Sequence, residues 1–215
     1  EKMSKSLGNF LTIQDALKKT TSEILRFVLL STHYRMPLDF SEQKVEEADK
    51  ALTRIYETLA RVDAALGAQA PNADSRAPTS ELLTRFREAM DDDCNTARAL
   101  GVIFESVREM NRALDAGETA ALAERRADLD AIGGVLGLMD QAPSRFLEER
   151  KQRGLAQGQL TSEVIEQLIA ERAAARKGRD FKRADEIRVQ LAEQGVILQD
   201  GPTGTTWTIE AGKKA

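Results

Sequence analysis

With 215 residues, the chain is long enough to bury a hydrophobic core, and its length predicts one or two domains. Charged residues make up 31% of the sequence and aromatic residues 5%, which is typical of a helix-rich globular protein. The net charge of −4 excludes a protein that coats nucleic acid over its whole surface, and no apolar run approaches the roughly 20 residues of a membrane span.

The chain contains one cysteine, Cys94, and one histidine, His33. A single cysteine excludes an internal disulfide framework and is typical of a reducing compartment, so we expect a cytoplasmic protein. Zinc sites need three or four nitrogen or sulfur ligands, which one cysteine and one histidine cannot supply. We therefore expect no metal site within this chain.

A basic loop, residues 2–6 with the sequence KMSKS, comes first along the chain. The flexible ammonium groups of Lys2 and Lys5 can follow phosphoryl oxygens as they move, and the small Ser4 and Ser6 offer hydroxyls. Gly8 allows the loop to open and close. The pattern predicts a phosphate-binding loop, and the alternative is a solvated basic segment.

Helix signals follow the loop. Thr12 predicts a short helix through Lys18, and Thr21 or Ser22 predicts a second helix over 24–33. Pro37 predicts an extended segment over 34–40, and Ser41 predicts the start of a long amphipathic helix. That helix carries one apolar stripe at spacings of three and four residues: Val45, Ala48, Leu52, Ile55, Leu59, Val62 and Leu66.

The middle of the chain continues this pattern between two predicted linkers, 67–80 and about 140–159, which are rich in Pro, Gly and small polar residues. Leu82 and Phe86 mark one helix, Thr96 is the predicted cap of the next, and a third helix is predicted over 118–136. Antiparallel helices with such stripes predict a bundle.

A different pattern fills the last 50 residues. Thr161 or Ser162 begins one predicted helix, Asp180 begins another, and two short strands are predicted over 196–199 and 205–209 around a Gly-Pro turn. The fold class is therefore mainly α, with a small α/β tail. The predicted divisions are 1–44 (the loop and the region after it), 45–140 (helical bundle), 141–160 (linker) and 161–210 (tail).

Several blocks of sequence, in a fixed order, then make the chain resemble bacterial cysteinyl-tRNA synthetases, which are class I aminoacyl-tRNA synthetases. They are residues 2–10 (KMSKSLGNF), 30–35 (LSTHYR), 37–41 (PLDFS), 90–96 (MDDDCNT) and 200–207 (DGPTGTTW). The one departure is Cys94, where the family usually has a bulky apolar residue. The resemblance covers essentially the whole chain.

The resemblance implies a carboxy-terminal half that starts at the KMSKS loop, with a stem-contact region completing residues 1–44. Lys2 and Lys5 would then be catalytic, and Lys2, Ser4, Lys5 and Ser6 would bind ATP with its Mg²⁺. The ATP site, the cysteine site and a zinc ion would lie mainly upstream, so this part alone is expected to bind tRNA without catalysing activation. A monomer is also implied.

The resemblance further implies that the tail recognises a GCA anticodon. Arg176 and Asp185 would bond base edges, Phe181 would stack on a base where many members have Trp, and Asp200 would contact a further base. Trp207 lies in the same hairpin. Residues 171–188 hold seven basic and four acidic side chains, a local balance of 7 − 4 = +3 that suits a phosphate backbone.

Structural alternatives stay open for these residues. Asp180 is also a helix cap, Asp185 can pair with Arg188, and Asp200 precedes a turn glycine. Phe181 and Trp207 could both be core residues of a small tail. The roles of His33, Tyr34 and Arg35 are open, and Tyr34 could equally be buried.

Two other functions are consistent with parts of the pattern. A relative that joins activated cysteine to an amino sugar would share the catalytic half but would not need a tail such as 176–207. A non-enzymatic RNA-binding or interaction module would have no use for the loop at residues 2–6. The synthetase interpretation accounts for both features.

Overall fold

The computed structural model describes residues 12–67, 80–157, 161–201 and 204–209. The chain divides into two compact units, one ending at Ser144 and the other beginning at Arg145. The predicted loop at residues 2–6 and most of the first predicted linker, residues 68–79, lie outside the described residues.

The first unit is a helical bundle. Its described helices are α1 (Ile13–Lys19), α2 (Ser22–Leu30), α3 (Glu42–Leu66), α4 (Glu81–Asp91), α5 (Thr96–Ala116) and α6 (Leu122–Leu136). Helix α3 packs against α2, α5 and α6, and α4 packs against α5 and α6. The predicted stripe of α3 is buried from Ala48 to Leu66, so its apolar periodicity identified the face that forms the core.

Side-chain caps explain where most of these helices begin. Four predicted caps are confirmed, each accepting the backbone N–H of the residue three positions later: Thr12, Thr21, Ser41 and Thr161. The predicted cap Thr96 is wrong by one residue, because Asn95 accepts the N–H of Arg98 at 3.0 Å. Thr96 instead donates its hydroxyl to the carbonyl of Leu30 at 2.9 Å, which joins α5 to the end of α2.

A buried carboxylate lies within the bundle. Glu23 is 6% exposed and accepts hydrogen bonds from the hydroxyl of Tyr56, at 2.9 and 3.1 Å, and from the backbone N–H of Met139, at 2.6 Å. Burial raises the pKa of the Glu23 carboxyl above its ordinary value of 4.5. Burial, together with the nearby Glu23 charge, also raises the pKa of Tyr56. The contacts tie α2, α3 and the segment after α6 together.

The second predicted linker is wrong over most of its length, since Pro143–Gln157 forms a helix, α7. Proline is well suited to a first helical position, where its missing N–H is not needed. Pairs of side chains four residues apart support the exposed face, as between Arg145 and Glu149 at 2.7 Å. Position 154, inside α7, requires glycine because a Cβ there would sit 2.6 Å from Cγ2 of Ile209. Glycine permits a close approach here and does not end the helix.

The second unit adds two helices and a hairpin to α7. They are α8 (Ser162–Lys177), α9 (Phe181–Glu193), β1 (Val196–Gly201) and β2 (Gly204–Ile209), with the strands antiparallel. The core of this unit contains Ile165, Ile187, Leu191, Val196 and Trp207. Helix α7 closes over the hairpin, since Arg150 donates to the carbonyl of Ile209 at 2.9 Å.

The predicted fold class, mainly α with a small α/β tail, is confirmed for the described residues. None of the helices within 12–67, 80–157 and 161–201 combines the length and apolar character that crossing a membrane requires.

Candidate nucleic-acid interface

The candidate interface lies where α8 ends, α9 begins and β1 approaches its turn. The connection between the helices is only three residues long. Asp180 donates its N–H to the carbonyl of Ala175 at 2.9 Å, and its side chain accepts the N–H of Arg183 at 3.1 Å. Arg179 takes a left-handed conformation, with φ of 62°, to close this turn. Asp180 is therefore the cap of α9, as the structural alternative predicted.

A cluster of charged groups joins α8 to β1 at this end. Arg172 donates from both terminal nitrogens to Asp200, Nη1 to Oδ1 and Nη2 to Oδ2, each at 2.8 Å. Thr205, the cross-strand partner of Asp200, donates its hydroxyl to Oδ1 at 2.7 Å. Hydrogen bonds from Arg172 and then Thr205 lower the pKa of the Asp200 carboxyl well below its usual range, so this group is ionised at neutral pH.

Arg176 completes the cluster from one turn further along α8. Its Nη1 donates to Oδ2 of Asp200 at 3.0 Å, and its side chain is 52% exposed. Two of the predicted site residues, Arg176 and Asp200, are therefore in direct contact. Sequence reasoning missed Arg172, although its position four residues before Arg176 on the same helix face was a usable signal.

Phe181 and Asp185 stand on α9, four residues apart and therefore on one face. Phe181 is 61% exposed, so it is not a core residue. Asp185 is also exposed, and it makes no ion pair with Arg188 or hydrogen bond with any residue that the structure describes. The hydrogen bonds to Asp200 raise the pKa of the Arg172 guanidinium, and the charge of Asp185 adds to that effect in smaller part, so Asp185 lies within electrostatic range of Arg172.

Trp207 lies on the inner side of the hairpin and is only 8% exposed. The ammonium group of Lys151, on α7, sits 3.7 Å from the centre of its ring. Of the two alternatives left open by the sequence, core packing and base stacking, the structure places Trp207 in the core. The two aromatic candidates therefore differ in exposure, since Phe181 is exposed and Trp207 is buried.

Three family models match the chain. They are described as tRNA synthetases class I (C) catalytic domain over residues 1–50, DALR domain over 85–140, and cysteinyl-tRNA ligase anticodon binding domain over 159–207. The chain is 51% identical to cysteine–tRNA ligases of Geobacter metallireducens and Geobacter sulfurreducens, in each case over 98% of its own length. The chain belongs to the cysteine–tRNA ligase family.

A third relative, the cysteine–tRNA ligase of Pelobacter propionicus, is 48% identical over 97% of the chain. The chain spans about half the length of the curated relatives it matches, 46% for the first and 45% for the second. The match to the anticodon-binding family model covers α8, α9 and β1 and ends at Trp207. It begins after α7, although α7 packs into the same unit.

The basic side chains of residues 171–188 fall into two groups, those paired with a carboxylate and those without such a pair in the described part of the chain. Arg172 and Arg176 bind Asp200, and Arg183 binds Glu171 at 2.8 Å. The other basic side chains of residues 171–188 are exposed and make no hydrogen bond or ion pair within the described part of the chain: Lys177, Arg179, Lys182 and Arg188. These four cations lie between Arg176 and Asp200 in sequence, and their exposed charges suit contacts with phosphate groups.

A second polar cluster lies in the first unit. It contains His33, Tyr34 and Arg35, whose roles the sequence left open. Tyr34 is 62% exposed and its hydroxyl donates to Asp93 at 2.6 Å, while Nε of Arg35 donates to the same carboxylate at 2.5 Å. The His33 and Tyr34 rings stack with centres 5.0 Å apart. Arg35 and then Tyr34 lower the pKa of Asp93 through these hydrogen bonds. Tyr34 is therefore exposed, and Asp93 is a partner that the sequence did not reveal.

Lys2, Ser4, Lys5 and Ser6 lie outside the described residues, so their predicted roles stay predictions. In the described ranges, no group of three or more His, Cys, Asp or Glu side chains is arranged to hold a metal ion. The described side chains therefore do not fit the zinc ion that the resemblance implies for the whole enzyme.

Proposed function

We propose that this chain is the tRNA-binding part of a cysteine–tRNA ligase, which activates cysteine with ATP and transfers it to a tRNA with a GCA anticodon. The observation that carries this proposal is the 51% identity over 98% of the chain, with the anticodon-binding match placed on the Arg172, Arg176 and Asp200 cluster. We infer a cytoplasmic monomer that binds tRNA and does not activate cysteine by itself.

The exposed groups at this end of the tail suit the recognition of unstacked bases. Single-stranded RNA is recognised by stacking on aromatic rings and by hydrogen bonds to base edges. Phe181 offers an exposed ring, and Asp185 and Asp200 are acceptors for the amino groups of cytosine, adenine or guanine. Arg176 is a donor suited to guanine. Lys182 and the other free cations would attract the phosphate backbone without selecting its sequence.

The loop at residues 2–6 would serve the chemical step. In this proposal, Lys2 and Lys5 stabilise the negative charge that develops as pyrophosphate leaves, and Ser4 and Ser6 hydrogen bond to phosphate oxygens. ATP brings Mg²⁺ with it. The remaining catalytic groups, including any zinc ligands, would belong to the other half of the enzyme.

Binding to two RNA transcripts tests the proposed function. One transcript carries the GCA anticodon in an otherwise unchanged tRNA, and the other carries the same nucleotides in scrambled order. Affinity is measured for the whole chain at one stated salt concentration, because phosphate contacts make binding strongly salt-dependent. We expect clearly weaker binding to the scrambled transcript. Equal affinity would mean that only the backbone is recognised.

A matched pair of variants then assigns the effect to the candidate residues. Asp185→Asn changes an exposed carboxylate that makes no hydrogen bond or ion pair with the residues that the structure describes. Glu186→Gln makes the same chemical change at the next position, at a carboxylate that pairs with Arg183 at 3.4 Å. We expect Asp185→Asn to reduce the preference for GCA and Glu186→Gln to leave it unchanged. The opposite result would remove Asp185 from the site.

A further inference from the structure

Arg172 and Arg176 share the carboxylate of Asp200, but they differ in exposure. The side chain of Arg172 is 7% exposed and that of Arg176 is 52% exposed. Arg172 makes two parallel hydrogen bonds, whereas Arg176 makes one. An exposed single-bonded pair exchanges readily with solvent or ligand, while a buried bidentate pair does not.

The carboxylate of Asp200 is fully occupied in this structure. A carboxylate offers about four lone-pair sites. Oδ1 accepts from Arg172 Nη1 and from Thr205 Oγ1, and Oδ2 accepts from Arg172 Nη2 and from Arg176 Nη1. A base amino group can therefore bond to Asp200 only if one of these donors leaves. Arg176 is the donor with the most solvent around it.

The burial of Arg172 is unfavourable for the stability of the fold. Its Nε is buried and has no hydrogen-bond partner among the described residues. Burying a charged side chain with an unsatisfied donor is costly, and apolar residues often serve a small core better. Arg172 is buried two helical turns after the core residue Ile165, on the same helix.

We propose that Arg172 is a positioning residue for anticodon recognition, which keeps Asp200 aimed at the base site while Arg176 exchanges from Asp200 to the RNA. The inference rests on the proposed function and adds the order of events at the same site. Arg172 and Thr205 stay on the carboxylate. Arg176 leaves Oδ2 and donates to a base edge, and a base amino group takes its place on Oδ2.

The test compares Arg172→Lys with Arg183→Lys in the whole chain. Both variants keep the positive charge and lose the guanidinium fork, and Arg183 also forms an ion pair between elements of the same unit, with Glu171. The readout is the ratio of affinities for the GCA and scrambled transcripts. We expect Arg172→Lys to reduce this ratio about tenfold, as for loss of one bidentate contact, without changing affinity for the scrambled transcript. Arg183→Lys is expected to keep the ratio.

Two further measurements separate positioning from folding. Thermal unfolding shows whether Arg172→Lys keeps the tail folded. If it does not, Thr205→Val replaces it, because this change removes the hydroxyl that donates to Oδ1 of Asp200 and accepts from Nη1 of Arg172. A carbon NMR titration of the Asp200 carboxyl, without RNA, is expected to show a raised pKa in Arg172→Lys and no change in Arg183→Lys.

The outcomes distinguish this inference from the proposed function. If the unaltered chain binds both transcripts equally, the proposed function fails and the role of Arg172 fails with it. If the unaltered chain prefers GCA and a folded Arg172→Lys or Thr205→Val chain prefers it equally well, only the role of Arg172 is overturned. Equal weakening toward both transcripts would likewise show a purely structural residue.

Discussion

The two units of the chain each hold one carboxylate firmly, and they do so in opposite ways. Glu23, in the helical bundle, is buried and receives hydrogen bonds from Tyr56 and from the backbone of Met139. Burial raises its pKa. Asp200, in the tail, is about half exposed, and hydrogen bonds from Arg172 and then Thr205 lower its pKa.

The difference separates a group that serves the fold from a group that can serve a ligand. The donors to Glu23 are uncharged and the residue is only 6% exposed, so this carboxyl joins segments of the bundle. Asp200 keeps its charge because guanidinium groups compensate it, and one of those groups is exposed. The same side-chain chemistry therefore gives a structural contact in one unit and a candidate recognition group in the other.

Removing the core of the tail should have the largest effect. Trp207→Ala is expected to destabilise the second unit by about 3–5 kcal/mol, because it deletes the largest side chain of a small core. Amide hydrogen exchange should accelerate at Ile187 and Leu191 and stay slow at Leu52 in the bundle. Unchanged protection at Ile187 would show that Trp207 is not a core residue.

The exposed aromatic residue should behave differently. Phe181→Ala is expected to change stability by less than about 0.5 kcal/mol, as is usual for an exposed position. It is expected to weaken binding of the GCA transcript by about 1–3 kcal/mol through loss of base stacking. Val189→Ala, at a 55% exposed position on the same helix, is the control. Equal binding by both variants would argue against stacking on Phe181.

Removing either of two tyrosine hydroxyls that donate to carboxylates should lower the free energy of unfolding by a smaller amount. Tyr56→Phe removes a buried donor to Glu23, with an expected loss of about 1–2 kcal/mol in unfolding free energy. Tyr34→Phe removes an exposed donor to Asp93, with an expected loss clearly smaller than that of Tyr56→Phe. Chemical denaturation measures both, and similar losses would contradict the contrast in burial.

The pH dependence of stability should differ in sign between the units. Because folding raises the pKa of Glu23, its contribution is full below about pH 4.5 and is lost as pH rises through the folded value. Glu23→Gln should therefore gain stability relative to the unaltered chain with rising pH, by less than about 1.4 kcal/mol per pH unit, the limit for one proton.

Asp200 should show the reverse. Its folded pKa is lowered from 3.8, so its contribution is present above that value and is lost as pH falls toward the folded pKa. The free energy of unfolding of the Asp200→Asn chain should be lower than that of the unaltered chain at neutral pH, and this difference should shrink as the pH falls. Fluorescence of Trp207, the chain's one tryptophan, reports on the tail, and amide exchange in α3 reports on the bundle. A deficit that stays constant below pH 3.8 would contradict the charged contact.

Regular features were predictable because they depend on neighbours in sequence. The stripe of α3 and the caps Thr12, Ser41 and Thr161 follow from helical spacing and from local hydrogen bonds. Helix α7 was not predicted, because Pro143 and Gly154 suggested an irregular segment. Its helical structure is supported by contacts with β2, more than 50 residues later, where Gly154 meets Ile209 and Lys151 covers Trp207.

The candidate site was predicted in part for the same reason. Resemblance to a family supplied Arg176, Phe181, Asp185 and Asp200, but the sequence could not decide between exposed and buried positions for the aromatic residues. Arg172 was missed because its partner, Asp200, is 28 residues away. Asp93 was missed as a partner of Tyr34 for a similar reason, since it is 59 residues further along the chain.

By itself, the sequence of this chain determined most of its described helices, its mainly α class and its membership of the cysteine–tRNA ligase family, since periodicity, caps and motif order are local properties. Only the tertiary structure decided that Trp207 is core, that Phe181 is exposed and that two arginines share Asp200. Burial and ion pairing depend on which distant segments meet, and no local pattern specifies that.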